Sequence, residues 1–231
     1  MEHIGETLER LHREALTQDQ KTIKYTIPQD DPDYKPPTPE EKMEKLRKGL
    51  GISSLKNTFE IFKPWPGTEK ALATIKALAL GKTTWKLALI YGGVGNGKTH
   101  LCEAAAIELY KAGYFCRVNT MDWMMSSLKR CLDPEPPDTL DGLLRKYSYA
   151  EHLIIDDVAG SVWEMEQLEK IIRARYRERL FTILTTNLDL KELPERVVSR
   201  FRDAEVARLV LNDGKDYRPQ KGNSVESDIE L

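Results

Sequence analysis

Long apolar runs are missing from this chain. The longest candidate, Ala71 to Leu80, is interrupted by Lys76 and falls short of the roughly 18 to 20 residues a membrane helix needs. A secretory leader is missing as well, since MEHIGETLER has neither a basic n-region nor an apolar h-region. Both absences set the expectation of a cytoplasmic protein with no membrane partner. Excess charge of either sign is absent: 35 Lys and Arg stand against 37 Asp and Glu in 231 residues, a net charge of -2. That balance excludes a polybasic, histone-like mode and confines any nucleic-acid contact to a local patch. Cysteine is scarce. Cys102, Cys116 and Cys131 are odd in number and lack C-x-x-C spacing, which argues against a disulfide framework or a zinc site and for reduced packing residues. There is no internal repeat and no long low-complexity tract.

What is present suffices for one α/β core with a short appendage. Ile4, Leu8, Leu11 and Ala15 form an apolar stripe at helical spacing, which predicts a partner-binding helical extension over residues 1–25. Prolines 28, 32, 36, 37 and 39 then mark a linker with a short helix, residues 26–50. Thr38, Pro39 and Glu41 supply that helix with a cap, a first-turn proline and a capping-box acid; Met43, Leu46 and Leu50 supply its face, and Gly49 and Gly51 its stop. Residues 51–218 carry the core, and 219–231 read as a polar tail.

From about Phe59, helices alternate with short apolar runs, the pattern of an α/β domain. The expected helices are Thr68–Leu80, Lys98–Ala112, Thr120–Leu132, Asp138–Tyr147 and Ser161 to about Arg179. The expected strands are Leu87–Tyr91, Tyr114–Val118, Leu153–Asp156, Phe181–Thr185 and Glu205–Leu211.

Between the first of those strands and the helix after it lies GGVGNGKT, Gly92, Gly93, Val94, Gly95, Asn96, Gly97, Lys98 and Thr99, which fits G-x-x-x-x-G-K-[ST]. The glycines let the backbone curl into an anion nest at a helix N-terminus. Lys98 can then reach the β and γ phosphates of a nucleotide, and the Thr99 hydroxyl can sit on Mg²⁺. LIIDD is the second half-site: a buried strand delivers Asp156 to the magnesium shell and Asp157 to the attacking water, as the catalytic carboxylate. FTILTTN ends in Asn187. If this strand lies between the P-loop strand and the acidic strand, Asn187 reaches the water or the γ-phosphate; read alone, T-T-N is an ordinary turn signal.

GGVGNGKTHL, LIIDD, TILTTN and RVVSRF, in this order, resemble the AAA+ ATPases and most closely their DnaC/IstB branch, over about residues 50–218. The resemblance implies an AAA+ P-loop three-layer sandwich with a parallel five-stranded sheet, ATP and Mg²⁺ as cofactors, and slow ATP hydrolysis stimulated by assembly or DNA. It implies that His100 closes the P-loop segment. It also implies that Phe59 and Phe62, in GISSLKNTFEIFKPWPGTEKAL, sit near the adenine end, and that Arg218 senses bound nucleotide. Arg200 is implied to reach the γ-phosphate of a neighbouring subunit, so that self-association runs through the ATP site. Only about twenty residues follow the last strand, which sets the expectation of a core without the full C-terminal lid and DNA-binding domain of replication initiators. Asp157 stands where many relatives carry Glu.

Cations crowd three places: Arg173, Arg175, Arg177 and Arg179 at one helix end, Lys129 with Arg130, and Arg145 with Lys146. They fit single-stranded DNA or a solvated face equally well; the resemblance favours Lys129 and Arg130 as DNA contacts. Trp123 and Tyr147 read as core. The expected function is loading of a hexameric DnaB-type replicative helicase onto single-stranded DNA. The alternatives are an IstB-type transposition helper and a nucleotide-regulated adaptor with little hydrolysis.

Overall fold

A computed structural model describes residues 38–217. The N-terminal stripe, most of the proline linker, Arg218 and the polar tail lie outside the described residues. Contacts divide the chain into a unit ending at Lys42 and a unit from Met43 onward.

Helix α1, Pro39–Leu50, starts with the expected capping box: Thr38 N–H donates to Glu41 at 2.8 Å and Glu41 N–H to the Thr38 hydroxyl at 3.2 Å. Its expected face is correct at two of three positions: Leu50 is fully buried and Leu46 packs partly buried against the core, whereas Met43 is exposed. Gly51 ends it with φ 65°, in the left-handed region that glycine enters freely. Helix α2, Glu69–Ala79, precedes strand β1, Leu87–Tyr91, and helix α3, Lys98–Lys111, follows. Strand β2, Val118–Thr120, leads into helix α4, Met121–Arg130, and helix α5, Leu140–Tyr149. Strand β3, His152–Asp156, helix α6, Val162–Arg177, strand β4, Phe181–Thr186, helix α7, Glu195–Arg202, and strand β5, Ala207–Leu211, complete the domain.

The sheet is wholly parallel, in the order β2-β3-β4-β1-β5. β4 therefore does lie between the P-loop strand and the acidic strand. Alternation along the strands makes two cores. Ala88, Ile90, Ile154 and Ile183 face α2 and α3, while Leu87, Leu89, Leu153, Ile155 and Leu184 face α4 to α7. This is the expected three-layer sandwich. Register aligns Tyr91 with Thr186 and Ile155 with Leu184, so the C-terminal strand ends share one edge.

Three expectations change. Tyr114–Arg117 is not strand; β2 begins at Val118 because this edge strand pairs with β3 over three residues only, and Tyr114 and Phe115 stay exposed. Trp123 is exposed rather than core, with the Arg117 guanidinium 4.8 Å over its ring. The buried stripe of α4 runs through Met121, Met124, Met125 and Leu128, and position 123 falls off it. Arg175 is neither a surface cation nor a nucleic-acid contact: it is fully buried beneath β4. Tyr147 and the three cysteines are buried as expected.

Candidate functional site

The loop after β1 curls because its glycines hold positive φ: 143° at Gly92, 73° at Gly95 and 88° at Gly97. Side chains are also excluded at all three by close neighbours, at Gly92 by the Asn212 carbonyl. A Cβ on Gly95 would meet the Asp216 carboxylate, and one on Gly97 would stand 2.6 Å from the Phe62 ring. Gly97 then caps α3, whose first turn carries no acid, so its unpaired N–H groups form an electropositive end. Lys98 lies in that turn. Its ammonium donates to the Gly92 and Gly93 carbonyls at 2.9 and 2.5 Å and to Asn96 Oδ1 at 3.0 Å.

Asn96 serves the loop differently from its glycines. Its amide donates to the Asn212 carbonyl at 2.6 Å, and the Asn212 amide donates back to the Asn96 carbonyl at 3.0 Å, so the end of β5 holds the P-loop. Tyr217 N–H donates to the Gly95 carbonyl at 3.1 Å. Tyr217 also stacks on Trp65 with ring centroids 5.1 Å apart, and Trp65 stacks on Phe62 at 5.5 Å. Phe62 meets His100 edge-on, and His100 Nε2 lies 2.9 Å from the Thr58 carbonyl. The lead-in segment is fixed by buried Glu103 of α3, which accepts from Ser53 N–H at 2.7 Å and Asn57 Nδ2 at 2.6 Å.

The acids arrive from β3. Asp156 is almost fully buried and accepts from the Thr99 hydroxyl at 2.7 Å and, on its other oxygen, from the Thr185 hydroxyl. An ionised carboxylate accepts both protons, which leaves the Thr99 oxygen a lone pair for a cation. Cys102, 3.8 Å from the same carboxylate, keeps its proton, because burial and then the Asp156 charge push its thiol well above the usual range. Asp157 lies on left-handed backbone, φ 56°, and is exposed. Its N–H donates to the Thr185 hydroxyl at 3.0 Å, and its carboxylate accepts from Asn187 Nδ2 at 2.6 Å.

These groups line one cavity of about 640 Å³. Its lining includes Val94 to His100, Asp156, Asp157, Thr185 and Asn187, together with the rings of Phe62, Trp65 and Tyr217. The volume and the pairing of aromatic with polar lining suit a nucleotide. Hard oxygen donors at Thr99 and Asp156 suit Mg²⁺, and the crowded glycine cradle suits a phosphate chain brought close to backbone. Gly92 and Gly93 do not line the cavity; their carbonyls accept from Lys98. Of the aromatic pair, Phe62 lines the cavity and Phe59 does not; Phe59 is buried in the core with the Lys76 ammonium 5.9 Å over its ring. Arg200 lies elsewhere, in a cleft with Tyr176, Glu195, Arg196 and Ser199, its guanidinium 2.5 Å from the Arg196 carbonyl. Lys129 and Arg130 are exposed at the end of α4, where Lys129 pairs with Glu164 at 2.7 Å. Trp65, Thr185 and Asn212 were missed in the sequence. Pro64-Trp65-Pro66 was the available signal for the first, since prolines on both sides fix the backbone that presents the ring.

The bacterial DnaA ATPase domain family matches residues 54–205. The chromosomal replication initiator DnaA of Citrifermentans bemidjiense is 30% identical over 167 residues, 67% of this chain and 35% of that protein. The chain thus spans about a third of the length of the curated relative it matches. A replication initiator DnaA bound to AMPPCP and single-stranded DNA superposes with TM-score 0.61 at 26% identity, covering 77% of this chain and 57% of that one. A DnaC helicase loader superposes with TM-score 0.58 at 24% identity, covering 69% of this chain and 98% of that one, a likeness of fold. Among the described residues no helix is long and apolar enough to cross a membrane.

Proposed function

The chain belongs to the family of bacterial DnaA ATPase domains, and from that premise we propose that it binds and hydrolyses Mg²⁺-ATP and couples it to loading of a replicative helicase on single-stranded DNA. The observation that carries the nucleotide part is the convergence of Lys98, Thr99, Asp156, Asp157 and Asn187 on one cavity. Lys98 would exchange its loop carbonyls for the β and γ phosphates, and Thr99 with Asp156 would hold the cation, which supplies charge neutralisation at the phosphates. Asp157 would orient the attacking water and take its proton, with Asn187 fixing the carboxylate. Phe62, Trp65 and Tyr217 offer flat apolar surface for a base.

Arg200 does not line its own chain's cavity, which leaves it available to a neighbour's site, where a guanidinium would stabilise charge developing in phosphoryl transfer. The helicase as cargo rests on the resemblance of the segment from Gly51 to Leu72 to loader lead-ins, with a cytoplasmic address following from that role. The relative seen with AMPPCP and single-stranded DNA supports a second reading, assembly directly on the DNA strand. No relative named above favours a transposition helper. Pull-down of the resident hexameric helicase by the full chain, with and without ATP, tests the choice. Retention of helicase supports loading; binding of single-stranded oligonucleotide with no helicase retained supports the second reading and sinks the first.

A further inference from the structure

We infer that Thr185 is a positioning residue for hydrolysis, joining the metal-binding acid to the water-orienting acid through a single hydroxyl; this rests on the nucleotide reading above. Thr185 sits on β4 at 1% exposure, between the P-loop strand and the acidic strand. Its hydroxyl accepts from Asp157 N–H at 3.0 Å and donates to Asp156, while its carbonyl accepts from Val158 N–H at 2.7 Å. The direction of the hydroxyl proton is therefore fixed. One lone pair is taken by the Asp157 amide, so the O–H points at the Asp156 carboxylate.

Two consequences follow from that one atom. Thr99 and Thr185 hold opposite oxygens of Asp156, which locks the plane of the carboxylate that would face the cation. At the same time Thr185 anchors the Asp157 backbone in a conformation that non-glycine residues rarely adopt, φ 56°. The left-handed turn swings the Asp157 side chain out of the strand's alternation toward the cavity, where Asn187 meets it. Without the hydroxyl, Asp157 N–H loses its acceptor, the turn relaxes toward ordinary backbone, and both acids leave the geometry hydrolysis needs.

Thr185→Val keeps shape and β-branching but removes the hydroxyl; Thr185→Ser keeps the hydroxyl. A fluorescent ADP in EDTA reports the P-loop alone, the same titration with Mg²⁺ reports Asp156, and turnover reports Asp157. For Thr185→Val we expect metal-free affinity within about twofold of wild type, loss of most of the affinity that Mg²⁺ adds, and kcat lowered by about ten- to a hundredfold with little change in KM. Thr185→Ser should recover turnover to within about threefold. The inference fails if Thr185→Val keeps wild-type magnesium dependence and kcat, or if Ser is as impaired as Val with the same fall in melting temperature, which marks a packing role. Should the wild-type chain bind no nucleotide, the nucleotide reading and this inference fall together; wild-type binding with an indifferent Val variant sinks the inference alone.

Discussion

The two ends of β4 each bury a polar cluster around a threonine, and they are built for opposite purposes. At the N-terminal end, Arg175 donates to the Thr182 hydroxyl at 2.8 Å and to the carbonyls of Tyr147, Ala150 and Phe181 at 2.9, 2.7 and 2.5 Å. Every arm of the fork is used, no carboxylate among the described residues forms an ion pair with it, and burial lowers the guanidinium to about 10. At the C-terminal end, Thr185 and Asp156 also bond each other, yet Thr99, Asp157 and Asn187 keep oxygen and nitrogen atoms turned to a cavity. A polar cluster closed upon itself ties α5, α6 and β4 together; one left open toward solvent can take a ligand. Burial alone does not separate them.

Breaking the closed cluster gives the largest effect. Arg175→Met keeps the volume but takes the donor from the carbonyls of Tyr147, Ser148, Ala150 and Phe181 and from the Thr182 hydroxyl, so stability should fall by about 3 kcal/mol and the melting temperature by roughly 6 to 12 °C. Nucleotide affinity measured well below that temperature should stay within about twofold of wild type. A thermal melt beside a fluorescent-nucleotide titration checks both; unchanged melting with lost binding would show that the two ends of β4 are not independent.

Breaking the open cluster should do the reverse. Lys98→Ala removes the charge that would face the phosphates, so affinity for ATP should drop by about a hundredfold while the melting temperature moves by about 2 °C or less. Asp157→Asn leaves Asp156, the proposed cation ligand, in place, so binding should persist and single-turnover hydrolysis should fall by about a hundredfold. Equal affinity of Lys98→Ala and wild type for a fluorescent ATP analogue would remove the cavity from consideration as a nucleotide site.

How each end could be read beforehand follows from the range of its interactions. The P-loop, the Asp156-Asp157 pair and the strand ending in Asn187 are written in contiguous residues, and the structure gathers them as the local patterns imply. Arg175 was legible too, by a signal passed over: it continues the stripe of Leu168, Ile171 and Ile172 at steps of three and four, so periodicity alone turns it inward. Thr185 and Asn212 act across β-pairings and loop closures remote in sequence, and nothing beside them in the chain marks those partners. Pro64 and Pro66 mark Trp65 locally, but its stack on Tyr217, some 150 positions away, exists only in the folded chain.

A third polar cluster, on the surface, sharpens the comparison with the smallest effect. Glu164 of the α6 capping box accepts from Ser161 N–H at 2.6 Å and pairs with Lys129 at 2.7 Å. The Lys129 ammonium, then the Ser161 amide, hold its carboxyl below the usual glutamate range. A depressed folded value means the charged form supports the fold above the ordinary glutamate pKa of about 4.3 and loses that support as pH falls through the folded value. Glu164→Gln keeps a cap acceptor and discards the charge, so it should cost about 0.5 kcal/mol at pH 7. The gap from wild type should hold between pH 6 and 8, shrink in 0.5 M salt, and narrow as pH falls through the depressed Glu164 value. Urea melts at pH 7, 5 and 3, with and without that salt, read it directly. A gap that salt leaves unchanged would assign the stabilisation to the hydrogen-bonded cap alone. A gap that shrinks assigns it to the Lys129 charge, and then any single strand that draws on Lys129 must compete with Glu164 for it, unlike Arg130 beside it, which has no acidic partner among the contacts of its own helix end.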